Sequence, residues 1–107
     1  MPIPMMHGER GSGRTTRQML EAPKDAFYLW GAGNTLGYAY ALAEYLDRGD
    51  LRIEGAGFFY FPDAVGMICS RYNDLVLDHS CDENLNVSQW ERVHEVLTRL
   101  HERREKS

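Results

Sequence analysis

The sequence predicts a small layered α/β domain, a mostly parallel sheet of three to five strands flanked by helices. Phe27-Tyr28-Leu29-Trp30 is apolar at every position, as a strand covered on both faces must be, and strands of that kind belong to parallel sheets. Asp74-Leu75-Val76-Leu77-Asp78 is a second apolar run bounded by acids. Segments with helical spacing alternate with these runs, which is the signature of an α/β chain.

The elements follow in order. Residues 1–12 are expected to be irregular, because Pro2 and Pro4 each remove a backbone donor and leave Ile3 to Met6 fit for no more than a short edge strand. Arg14 to Glu21 favours a helix with Met19 and Leu20 buried, and Pro23 stops it. After the Phe27–Trp30 strand, Asn34 or Thr35 is placed to cap a second helix. In it Leu36, Ala39, Leu42, Ala43 and Leu46 recur at helical spacing until Gly49. Tyr38, Ala41 and Tyr45 form a stripe beside them.

Leu51 to Glu54 is a short strand, Phe58 to Phe61 an aromatic run suited to packing, and Asp63 to Arg71 a short helix. Asp74 to Asp78 should be a buried strand ending on an acid. In the last helix Ser88 and Glu91 have capping-box spacing, and Trp90, Val93, Leu97 and Leu100 share a face. Arg99, Arg103, Arg104 and Lys106 complement its carboxyl-terminal dipole.

Composition narrows the function. The chain has 107 residues, 43% of them hydrophobic, enough for one core and one domain over residues 1–107. A net charge of −4 supplies no field for a phosphate backbone, so nucleic acid is not an expected partner. No apolar run reaches the roughly 20 residues that span a bilayer, and Met1 to His7 lacks the parts of a signal peptide. The expectation is therefore a cytoplasmic protein with no membrane contact. Cys69 and Cys81 are expected to be reduced thiols.

The most specific chemical feature is Gly8-Glu9-Arg10-Gly11-Ser12-Gly13-Arg14-Thr15. It has the spacing of a Walker A loop, with Arg14 where lysine is usual. Such a loop curls backbone amides around a phosphate at a helix amino terminus. Gly8, Gly11, Ser12 and Gly13 would leave the backbone free to do so, Arg14 would supply charge, and Thr15 would offer a hydroxyl to Mg²⁺. Arginine is longer and planar and binds phosphate from the edge, so the pose would differ from that of a lysine loop. Leu75 to Asp78 has the form of a Walker B strand, whose acid orients Mg²⁺ and its water. His79 stands where helicase-type ATPases place a glutamate base.

These segments, with Thr16 and Arg17 after the loop, resemble the amino-terminal half of helicase-like and terminase-like P-loop ATPases. More closely, Gly13 to Arg17 and Asp78-His79 resemble motifs of short bacteriophage proteins of similar length, a likeness spanning about residues 8 to 100. The resemblance implies a P-loop-type fold that has lost parts. It would bind ATP or another phosphate-bearing ligand, with Mg²⁺ held by Thr15 and Asp78, and hydrolyse it little or not at all. A phage-encoded chain would work in the host cytoplasm.

Two other readings arise from the same sequence. One is a non-catalytic phage accessory protein that binds and inhibits a host protein, which an exposed aromatic patch around Phe58 to Phe61 would favour. The other is dinucleotide binding at Gly31-Ala32-Gly33-Asn34-Thr35-Leu36-Gly37, a Gly-x-Gly-x-x-x-Gly turn directly after a strand, with Glu54 at the end of the next strand to hold a ribose. A metal site built on His79, Cys81, Asp82 and Glu83, with Cys69 joining, lacks zinc-site spacing, and His94 and His101, which share a helix face, lack a third ligand.

Overall fold

The computed structural model describes residues 13–106. The loop residues Gly8, Gly11 and Ser12, and the possible edge strand at Ile3 to Met6, lie outside the described residues.

The elements run α1 (Arg14–Glu21), β1 (Phe27–Trp30), a 3-10 turn (Gly33–Thr35), α2 (Leu36–Tyr45), β2 (Arg52–Gly55), a second 3-10 turn (Ala56–Tyr60), α3 (Ala64–Arg71), β3 (Leu75–Leu77), α4 (Cys81–Asn84) and α5 (Val87–Glu105). The sheet has the order β2-β1-β3. Both pairings are parallel: Tyr28 stands opposite Ile53 on one side and Val76 on the other. The expected parallel sheet with helices on both faces is what the chain forms.

β1 is the central strand, which explains why all four of its residues are buried. Tyr28 and Trp30 point to one face, where Met19 of α1 and Ala39, Leu42 and Ala43 of α2 cover them. Phe27 and Leu29 point to the other, against Phe58, Val65 and Ile68, with Val93, Val96 and Leu100 of α5 behind. Period-2 alternation on β1 meets helices on both sides, so neither face can carry a polar residue cheaply. Among the described residues no helix is long and apolar enough to cross a membrane.

Several local expectations are corrected. β3 is half-buried rather than buried, because it has a strand neighbour on one side only. Leu20 is exposed, since α1 lies flat on the sheet and only its Thr15–Met19 stripe points inward. α2 ends at Tyr45, and Asp47 rather than Gly49 takes the left-handed conformation, at φ 60°. Thr35 sits before α2, but its hydroxyl donates to the Ala32 carbonyl (2.9 Å) and makes no cap bond.

The cap of α5 is a box two residues earlier than Ser88 and Glu91 suggested. Asn86 Oδ1 accepts from the Gln89 amide (2.8 Å), and Gln89 Oε1 accepts from the Asn86 amide (2.9 Å). The buried stripe of α5 is Gln89, Val93, Val96 and Leu100, while Leu97 is 39% exposed and Trp90 only half-buried.

Three arginines tie helix ends to neighbouring turns. Arg48 donates to the Met19, Leu20 and Pro23 carbonyls at the end of α1, where the helix has orphan acceptors. The same guanidinium pairs with both Asp50 oxygens at 3.0 Å. Arg103 donates to the Cys69 and Tyr72 carbonyls, and Arg104 to Asn73 and Asp74. The basic end of α5 thus fastens the α3–β3 connection, a structural use of Arg103 and Arg104.

Candidate functional site

The site is built where the first turn of α1 meets the carboxyl end of β3. Gly13 precedes the helix in the left-handed conformation, at φ 65°, and among the described residues no side chain caps it. The amides of the first turn therefore have no intrahelical acceptor. Arg14 and Arg17 are on the exposed side, while Thr15 is 1% exposed.

Thr15 Oγ1 lies 2.8 Å from His79 Nε2. One turn on, the Gln18 side chain docks along the edge of β3, donating to the Leu77 carbonyl (3.0 Å) and accepting from the His79 amide (2.8 Å). A side-chain amide supplies there the donor and acceptor that a further strand would supply. The position of α1 against the sheet follows from these three bonds and the buried Met19.

Asp78 sits beneath this contact, on the face that Tyr28 also points to. Its carboxylate is 1% exposed. Oδ1 accepts from the Tyr28 hydroxyl at 2.6 Å and Oδ2 from the Ser80 amide at 2.9 Å. Each carboxylate oxygen thus has a hydrogen bond inside the protein, as burial of such a group demands. Among the described residues no group of three or more His, Cys, Asp or Glu side chains could hold a metal ion.

The chain after β3 then crosses the chain after β1. The Gly31 amide donates to Ser80 Oγ (2.9 Å), and a Cβ at Gly31 would stand 2.4 Å from the Ser80 carbonyl oxygen. Cys81 is fully buried below this crossing. Burial, with the charges of Asp78 and Asp82 adding to it, pushes its thiol up to about 12, so it stays protonated and unreactive.

Gly31, Gly33 and Glu54, which the sequence joins in a fingerprint, line a single cavity of about 470 Å³ at the carboxyl ends of β1 and β2. Phe58 and Phe59 are interior, whereas Tyr60 and Phe61 are exposed. Thus the structure places Thr15 against His79, the residue after Asp78, and separately gathers Gly31, Gly33 and Glu54 around one cavity. Gln18, Tyr28 and Ser80 were not singled out in the sequence. For Gln18 a signal existed, since it lies one helical turn after Thr15 and so shares its face. Among protein-family models, curated proteins and solved structures, none matches this chain.

Proposed function

We propose that the chain binds a phosphate-bearing ligand, a nucleotide such as ATP, at the amino end of α1 and turns it over slowly or not at all. The observation that supports this reading is the meeting of α1's uncapped first turn with the Asp78-His79 end of β3 through Thr15. An uncapped helix start offers amides and a positive dipole end to an anion. Arg14, on the exposed side of that turn, adds a charged donor. In this reading the chain is a reduced P-loop-like protein of the phage type, working in the cytoplasm.

Mg²⁺ does not fit the described donors as they stand. Thr15 and Asp78 are both buried, the hydroxyl bonded to His79 and the carboxylate to Tyr28 and Ser80. The proposal therefore contains no metal step. The same engagement accounts for weak or absent hydrolysis, because a general base must reach the attacking water.

Thermal melting with ATP and with inorganic phosphate, each with and without Mg²⁺, tests the reading. A ligand at about 100 times its dissociation constant stabilises by about 2.7 kcal/mol. Arg14→Ala should weaken binding about tenfold or more, the loss of one charge-assisted contact. Unchanged affinity in that variant, or no stabilisation by either ligand, would sink it.

A second reading, docking of another protein, is favoured by the exposure of Tyr60 (76%) and Phe61 (62%). Changing both to Ala would then abolish that association and leave phosphate binding intact.

A further inference from the structure

The cavity at the carboxyl ends of β1 and β2 lies where two neighbouring parallel strands send their chains apart. After β1 the chain turns to α2, on the Tyr28–Trp30 face. After β2 it turns through Ala56–Tyr60 to α3, on the Phe27–Leu29 face. Divergence of this kind opens a crevice outside the strand ends, the place where open α/β sheets take their ligands. The volume of about 470 Å³ is within the usual range of small-molecule sites, about 300 to 1,000 Å³.

The walls define what fits. Phe58, Tyr60 and Phe61 border the cavity, and the Phe58 and Phe61 rings meet edge-on with centroids 5.7 Å apart. Phe58 is buried in that contact, whereas Tyr60 and Phe61 are exposed and offer ring surface to a third ring. The floor is made largely of glycine. A Cβ at Gly33 would meet nothing within 4 Å, and its φ is not positive; neither crowding nor backbone conformation calls for glycine there, and the space above it is open.

Glu54 contributes the charged group of the described lining, which has no lysine or arginine. One carboxylate oxygen, Oε2, accepts from Arg52 Nε at 2.7 Å, which leaves Oε1 to accept from a ligand. Arg52 is not part of the lining, so an anion in the cavity would meet the carboxylate rather than its cation, an unfavourable approach in a partly enclosed site. A pyrophosphate on this turn is disfavoured further because the Gly31 amide already donates to Ser80.

We propose that this crevice binds a planar heteroaromatic ring carrying an N–H donor, with the ring against Tyr60 and Phe61 and the donor on Glu54 Oε1. The site is distinct from the amino end of α1, and the proposal stands whether or not phosphate binds there.

The test is a two-dimensional NMR titration of the full chain with indole, 1-methylindole and benzoate. Indole should give saturable shifts at Gly33, Gly55 and Gly57. 1-Methylindole, which differs by blocking the donor, should bind about tenfold more weakly, and benzoate more weakly still. Gly33→Leu should fill the cavity and remove the indole shifts, as should Tyr60→Ala, an exposed change that spares the core. Equal binding of indole and 1-methylindole, tighter binding of benzoate, or the absence of saturable shifts around Gly55 would overturn the proposal. A parallel titration with inorganic phosphate that moves only Arg14 to Thr16 would support the phosphate reading while leaving this one to stand or fall on indole.

Discussion

Thr15 and His79, 64 positions apart in the chain, are joined by a hydrogen bond of 2.8 Å. The bond fastens the start of α1 to the end of β3, with Thr15 buried and His79 half-buried. Thr15→Val keeps the shape and removes the hydroxyl, leaving the imidazole nitrogen without this partner. The expected loss is about 1 to 3 kcal/mol in urea unfolding. Thr15→Ser, which keeps the hydroxyl and gives up a methyl group, should cost about 1 kcal/mol. If Val is tolerated better than Ser, the methyl group matters there and the hydrogen bond does not.

Asp50 should make stability depend on acid. The Arg48 guanidinium, with help from the Asp25 amide, holds the Asp50 carboxyl well below the usual carboxylate range. A depressed folded-state pKa contributes stability that is present above the unfolded value, about 3.9, and is lost as pH falls through the folded one. Asp50→Asn should therefore be less stable than the native chain by a constant margin above about pH 5, on the order of 1 to 3 kcal/mol. The margin should shrink steadily below about pH 4. Urea midpoints measured from pH 7 down to pH 3 would check this, and a margin that grew on acidification would contradict it.

The rotation of α5 gives a paired prediction. Val96 is fully buried and Leu97 is 39% exposed. Val96→Ala removes two methyl groups from a packed site and should cost about 2 kcal/mol, transfer and cavity together. Leu97→Ala, although it deletes more atoms, should cost less than about 1 kcal/mol. The reverse order in denaturant unfolding would mean that α5 sits rotated by one position in solution.

Those two residues also show where the sequence was readable and where it was not. β1 could be read because every one of its residues is apolar, and a central strand between two helical layers has no solvent face to mark otherwise. On α5 the apolar residues Val93, Val96, Leu97 and Leu100 fit two overlapping stripes. The choice between them is made by Val65 and Ile68 of α3, which share a core with α5 but lie far off in sequence.

The approach of Thr15 to the end of β3 was legible as motif order, a loop before one helix and an acid after a strand. What Thr15 bonds to was not, because the partner is set by how α1 lies on the sheet. That in turn depends on Gln18 and on Arg48, a residue of a distant turn whose role leaves no local pattern. The capping box of α5 was misplaced for a related reason: Asn86-x-x-Gln89 and Ser88-x-x-Glu91 have the same spacing, and only the chain's path from α4 selects the first.

The last prediction separates two glycines that the sequence groups in one motif. At Gly31 an added Cβ would meet the Ser80 carbonyl oxygen at 2.4 Å and the Cys81 amide nitrogen at 2.6 Å. Both are backbone atoms held in place: Ser80 by the hydrogen bond its amide donates to the Asp78 carboxylate, and Cys81 by burial and by the hydrogen bond its amide donates to the Asp78 carbonyl. They cannot yield as the end of a flexible side chain would. Gly31→Ala must therefore push the α4 turn off the sheet, and overpacking of this kind costs about 1 to 3 kcal/mol or more. Gly33→Ala meets open space and sits in a short 3-10 turn, so it should change stability by no more than about 0.5 kcal/mol. Thermal unfolding of the two variants, beside a proton NMR spectrum that reports the Tyr28 and Trp30 packing, would check the contrast. If Gly31→Ala unfolds like the native chain, the crossing of the β1 and β3 loops is looser than a 2.4 Å approach allows. If Gly33→Ala is the more damaging change, the crowded glycine of this turn is the second one and not the first.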